Sequence, residues 1–257
     1  GFIGLILLFI YFPIIFLTVN SFNESDIIQA GWGGFSLAHY KYFFNFDNEP
    51  IRVVLQTILL AIVVALLSTI LGTIGSIGIF YSKKRVNKTL SAINRIPVIN
   101  AEIVTALSLA LLFAFGLTFL NKTIASLLIG HVVITTPFVI LSVMPRFKAL
   151  DVSLSEAAQD LGCTPSQAFF KVELPEIVPG IVSGLMLGFT MSLDDFVISH
   201  FVSSPDFQTL PLYVYNQTAH NVKFSMYALS ALIVIAILII LLVVNFAGSV
   251  GKKGGAK

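Results

Sequence analysis

The sequence predicts an all-α integral membrane protein with six transmembrane helices and both termini in the cytoplasm. Three observations carry this reading. Of 257 residues, 56% are hydrophobic and only 11% charged, where soluble domains run near ~25% charged. Apolar runs of about 20 residues, the length a bilayer demands, recur along the chain. The lysines and arginines also fall unevenly on the two sides that alternating spans define. A net charge of +2 is too small to point to nucleic acid. The single cysteine, Cys163, excludes an intramolecular disulfide and cannot by itself form a typical structural zinc site.

The first span is Phe2 to Val19, with Pro13 inside it. It has no A-x-A-like cleavage site and leads into further spans, so it reads as an anchor. The outer segment from Asn20 to Pro50 carries Trp32, Tyr40, Tyr42, Phe43 and Phe44, which fit an interfacial aromatic belt. The second span is Val53 to Phe80, long enough to tilt or to project from the bilayer. The third runs from about Pro97 to Phe115, and the fourth from about Thr123 to Met144 with Pro137 as a kink. The fifth covers about Ile177 to Val202 and the sixth about Tyr227 to Phe246. Residues 1–247 thus form one transmembrane domain, and the Gly/Lys-rich tail 248–257 reads as flexible.

Eleven basic residues fall on one side: Lys83, Lys84, Arg85, Lys88 and Arg95 after span two, Arg146, Lys148 and Lys171 after span four, and Lys252, Lys253 and Lys257 after span six. The other side holds four, Lys41, Arg52, Lys122 and Lys223. The richer side is cytoplasmic by the positive-inside rule. Small residues recur every fourth position in span two (Ser68, Gly72, Ser76) and in span five (Gly180, Gly184, Gly188, Ser192). This spacing lets helices approach closely, either within the chain or against a second subunit.

The longest polar interruption in the second half is Ser153 to Pro175, SLSEAAQDLGCTPSQAFFKVELP. Ser153 with Glu156 has capping-box spacing, so a short helix is expected there, ended by a left-handed Gly162. Thr164 with Gln167 forms a second box, with Pro165 at the first helical position. Pro175 is read as a third stop. Glu156-Ala157-Ala158, then Gly162, then Leu174-Pro175 resembles the EAA loop of ABC-importer permeases of the MetI-like superfamily, with Val172 where isoleucine is usual. The resemblance implies a type I importer permease whose loop, 153–175, is a coupling helix docked into a groove of an ATP-binding subunit. Glu156, Ala157, Ala158, Gly162, Leu174 and Pro175 are the coupling residues it designates.

Three acids lie in apolar surroundings: Glu102, Asp194 and Asp195. Such groups cost roughly 2.5–3.5 kcal/mol at a helix centre and usually face a bundle interior or a water-filled path. At about 100° per residue, Asp195 shares the arc of Gly180, Gly184, Gly188 and Ser192, and Asp194 sits at its edge. Asp195 is therefore the leading pathway candidate, with buried bonding to backbone or hydroxyl groups as the alternative. Glu102 either faces the path or pairs with Arg95, which lies on nearly the same helical face. His39, His131, His200 and His220 show no metal-ligand spacing, and His131 reads as a satisfied polar contact in span four. Phe189 to Phe196, then Phe201-Val202, Pro205 and Leu210-Pro211-Leu212, resembles the spermidine/putrescine permeases of this superfamily, which tend to carry aspartate where Glu102 stands.

That resemblance implies polyamine import across the bacterial inner membrane. A second related permease, an external polyamine-binding protein and two ATPase copies carrying ATP and magnesium would complete the assembly. No Walker A motif is present, so the chain is expected to be a non-catalytic subunit with no cofactor or metal of its own. A permease for a metal ion or an anion is the nearest alternative, although an anion path should present basic residues. A proton-coupled carrier predicts an inverted repeat, which is absent. An intramembrane aspartyl protease fits poorly, because Asp194 and Asp195 diverge on a helix.

Overall fold

The computed structural model describes residues 2–25, 31–43, 48–220 and 226–235, which are helical apart from loops and one isolated bridge between Asn23 and Phe35. It divides into two units, Gly1–Arg52 with Tyr213–Lys257, and Val53–Leu212. Among the described residues, four helices are long and apolar enough to cross a membrane, five when one bent pair is counted as a span. The predicted tail 248–257 and most of the sixth span lie outside the described residues. Only the start of that span is seen, as the apolar helix Met226–Ile235.

In the first unit, α1 (Phe2–Asn20) is apolar on every side and buries none of its residues. Such an all-round apolar helix belongs in lipid or against other helices. After it, Asn23 organises a loop. Its amide donates to the Gly31 carbonyl at 2.8 Å, and its side-chain oxygen accepts from the Gly33 amide at 2.8 Å. The short α2 (Ala38–Phe43) follows. Trp32 is exposed as a belt residue should be, but Tyr40 is buried and bonds Ser21. Tyr40 is thus a packing residue rather than part of a belt. The side chains of Tyr42, Phe43 and Phe44 lie outside the described set.

The second unit holds most of α3 (Glu49–Tyr81), a single helix of 33 residues. Then α4 (Lys84–Ile99) and α5 (Glu102–Leu111) meet at a bend of 98°. The predicted third span is therefore corrected. Pro97 lies inside the last turn of α4, and the break comes at Asn100 and Ala101, both extended, with ψ of 146° and 130°. α4 carries Lys84, Arg85, Lys88 and Arg95 and buries no residue, so it suits an interface better than a bilayer core. After α5 a π turn, Leu112–Gly116, and a 3-10 turn, Thr118–Leu120, lead to α6 (Ile124–Ala149). Thr123 caps α6 with a reciprocal Thr123–Ser126 box, and Pro137 sits within it.

α6 is the central helix of this unit. α9 (Leu174–Asp194) packs along it, and α3 approaches through its small residues. A Cβ on Gly72 would stand 2.6 Å from Val139 Cγ1, and one on Gly184 would stand 3.0 Å from the same atom. Val139 of α6 thus fills the notches of both small-residue rows. At Gly180 a Cβ would meet Arg146 Cγ at 2.7 Å, and the Ser142 hydroxyl donates to the Gly180 carbonyl at 3.2 Å. The two readings of these rows are resolved in favour of packing within the chain. Ile79, Val143, Met144, Phe147 and Ile177 complete the surrounding core, with Phe80 stacked on Phe147 at 4.9 Å.

The predicted fifth span is also corrected. α9 ends at Asp194, Asp195 is extended with φ −64° and ψ 119°, and a short α10 (Val197–Val202) starts afresh. Ala106, Phe113, Ile134, Ile198 and Val202 form a second core that seats α10 against α5 and α6. α11 (Leu210–His220) begins with the Leu210 amide donating to Thr57 Oγ1 at 2.8 Å.

Candidate functional site

The loop after α6 folds as two short helices joined at a glycine. α7 (Val152–Asp160) is capped by Asp151, whose carboxylate accepts from the Ser153 amide at 3.0 Å. The expected Ser153–Glu156 box is thus replaced by a cap two residues earlier, with Ser153 already inside the helix. Asp151 reaches its own i+2 amide, the short-range bond at which Asp excels. The Ser153 hydroxyl and amide beside Asp151 hold its carboxyl below the usual carboxylate range. At the other end Gly162 has φ +91°. Its amide donates to Gln159 O at 2.9 Å and the Cys163 amide to Ala158 O at 3.1 Å, a complete Schellman closure.

Thr164 caps α8 (Pro165–Ala168) through the expected box with Gln167. Pro175 does not stop the chain. It stands in the first turn of α9, after a π turn at Phe169–Glu173, and the helical path runs from Pro165 to Asp194. The wider turn leaves room for the Pro175 ring and tolerates the backbone hydrogen bond that proline cannot donate. Glu156, Ala157, Gly162 and Pro175 are exposed, Ala158 is half-buried, and Leu174 packs on the α6 core. Glu173, not among the expected residues, ties this loop to α3. It accepts from the Ser155 hydroxyl at 2.8 Å and from the Tyr81 hydroxyl. Beside this tie is a cavity of 530 Å³ lined by Phe80, Tyr81, Ser155, Glu156, Phe170 and Glu173 among others.

The three acids come together at the break between α9 and α10. Asp194 ends α9 and is exposed. A negative charge there opposes the helix dipole, so helix stability does not explain it. Asp195 is buried, at 5% exposure. Its carboxylate accepts from the amides of Ile198 at 3.3 Å and Ser199 at 3.0 Å, and from the Ser199 hydroxyl at 3.2 Å. Bonds to a charged group contribute about 1.5–3 kcal/mol each, which offsets the cost of burying it. Adjacent acids thus stand in opposite settings, one closing a helix against its dipole and one opening the next.

Glu102, exposed in the first turn of α5, has its carboxyl within interaction range of Asp195, Asp194 and His131. Arg95 is not its partner among the described residues. The 98° bend between α4 and α5 removes the shared helical face on which that pairing depended. His131 is the residue sequence reasoning undervalued. It is fully buried in α6, and its Nε2 lies 3.2 Å from Asp195 Oδ2. Its only signal was an ionisable side chain in an apolar run. Among the described residues, no group of three His, Cys, Asp or Glu side chains is arranged to hold a metal ion.

A helical membrane domain with an apolar core around α6, a polar loop folded as two short helices and three acids gathered at a helix break fits a transport subunit. The chain belongs to the family of binding-protein-dependent transport system inner membrane components, whose family model matches residues 66–250. It is 31% identical over 254 residues to the spermidine/putrescine transport system permease protein PotC of Escherichia coli (strain K12), covering 99% of this chain and 95% of that one. It is 34% identical over 235 residues to the putrescine transport system permease protein PotI of the same organism, covering 89% of this chain and 83% of that one. Among solved structures it matches a bacterial ABC transporter involved in the import of the acidic polysaccharide alginate, over 96% of this chain and 93% of that one. The TM-score is 0.69 at 17% identity, a likeness of fold.

Proposed function

We propose that this chain is the permease subunit of an ATP-driven importer of polyamines, spermidine and putrescine, in the bacterial plasma membrane. It forms half of the translocation path beside a second, related permease. An external polyamine-binding protein delivers the substrate, and two copies of an ATPase subunit hydrolyse magnesium-ATP on the cytoplasmic side, where the termini and α7 lie. The observation that carries this reading is the 31% identity to a spermidine/putrescine permease over 99% of the chain.

The acid cluster supports it physically. A polyamine is a flexible multivalent cation, and exposed Glu102 and Asp194 beside buried Asp195 offer carboxyl oxygens to its ammonium groups. Their exposure leaves them free to release the cation as well as to attract it. The α7 segment supports the coupling role. Exposed Glu156 and Ala157 form the docking face, with small Ala158 behind them, and Gly162 closes the helix tightly. Leu174 and Pro175 root the segment in α9.

The test is uptake into proteoliposomes holding the full complex, with the binding protein and ATP supplied. Radiolabelled spermidine and putrescine should accumulate, while a divalent metal ion and a small anion should not. Glu102→Gln should lower spermidine uptake about tenfold at matched assembly, since it keeps the shape and removes a charge. ATP-driven uptake of the metal or the anion instead of polyamine would overturn the assignment.

A further inference from the structure

We propose that His131 is the positioning residue of the acid cluster. From α6 it holds the Asp195 carboxylate against the start of α10, commits that charge inside the protein, and leaves Glu102 and Asp194 to meet the cation. The role given to Glu102 and Asp194 rests on the polyamine reading; the positioning of Asp195 does not.

The geometry runs from one bond to the next. A carbonyl can only accept, so Nδ1 of His131, 2.9 Å from the Leu127 carbonyl oxygen, carries a hydrogen. That bond fixes the ring and turns Nε2 toward Asp195 Oδ2 at 3.2 Å. Both side chains are buried, and among the described residues Nε2 has no aligned hydrogen-bond partner. Two lone pairs facing each other at that distance out of water would repel, whereas a proton between them makes the contact attractive. The carboxylate already takes three donors, from Ile198 and twice from Ser199. These donors hold the carboxylate at the start of α10, and His131 closes on it from α6.

α6 grips α10 at its other end too. The Ser126 hydroxyl donates to the Val202 carbonyl at 3.2 Å, and Gly130 leaves room for Ile198, whose Cγ2 would stand 2.8 Å from a Cβ there. α10 is therefore clamped to α6 at both ends, with the His131–Asp195 contact at its start. Because Glu102 and Asp194 border Asp195, a shift of its carboxylate moves the whole cluster.

The experiment uses the assembled complex and two readouts. His131→Leu removes the donor, and His131→Gln returns an amide donor of similar reach. His131→Leu should lower kcat/KM for spermidine uptake about tenfold at matched assembly, and His131→Gln should recover most of that. His131→Leu/Asp195→Asn should be no worse than Asp195→Asn alone, because residues acting through one contact are not additive. Hydrogen exchange of peptides covering Asp195 to Val202 should rise about tenfold in His131→Leu, a readout that needs no polyamine. If wild-type complex ignores spermidine yet exchange rises in His131→Leu, the substrate reading fails and the positioning holds. Unchanged exchange in His131→Leu, or a double variant whose uptake loss is the product of the single losses, would overturn the positioning role, as would a loss explained wholly by reduced assembly.

Discussion

Gly162 decides how the loop between α7 and α8 closes. With φ at +91° and nothing within 4 Å of where a Cβ would stand, the site has space but the wrong backbone for any other residue. A β-branched residue there must adopt a left-handed conformation costing roughly 1–2 kcal/mol or undo the Schellman bonds. Gly162→Val is expected to insert and assemble normally while losing most spermidine uptake and most substrate-stimulated ATP hydrolysis. Membrane-fraction yield beside ATPase rate checks this, and wild-type coupling in the variant would make the loop a mere connector. The glycine was legible because its spacing from the helix start and its chemistry are local. Asp195 was legible only in part. The helical wheel placed it on the small-residue face, but the helix ends one residue before it. It is buried because its carboxylate caps α10, not because a continuous helix turns it inward. His131 had no legible partner, since its contact, Asp195, lies at a helix break far along the chain.

At the scale of elements, one valine between two glycine rows sets the spacing of three helices. Val139 touches the positions where both Gly72 and Gly184 would carry a side chain. Gly72→Leu places new atoms into that contact, and overpacking of this kind costs about 1–3 kcal/mol. The expected result is a lower Tm in detergent, partly recovered by adding Val139→Ala, which vacates the space. An unchanged Tm in Gly72→Leu would mean that α3 and α6 do not meet there. Both corrected spans broke at places without a strong local signal. Pro97 suggested a helix start but was tolerated near a helix end, and the true break followed at Asn100. The Asp194-Asp195 pair carries no Gly or Pro, and only the donors of α10 explain why the backbone extends there.

For the whole molecule, the uneven distribution of lysine and arginine predicts a cytoplasmic α7 and a cytoplasmic Cys163. Cys163 is half-buried, just past the Schellman closure. A membrane-impermeant maleimide should label it in inverted vesicles and leave it unlabelled in intact cells, with a Cys163→Ser protein as the blank. Labelling from outside intact cells would invert the orientation and remove α7 from reach of any cytoplasmic ATPase.

The sequence by itself determined the helical membrane class, the apolar runs that become α1, α3 and α6, the two short helices between α6 and α9 and the glycine that joins them. These follow from composition, hydropathy and capping chemistry, each of which acts over one or two helical turns. The tertiary structure alone decided that the small-residue rows close on Val139 of α6, that the third and fifth spans are broken, and that Asp195 is held by Ser199 and His131. Those outcomes depend on which helices become neighbours. A buried carboxylate takes whichever donors folding brings within about 3 Å, and its partners are fixed only when distant turns of the chain pack together.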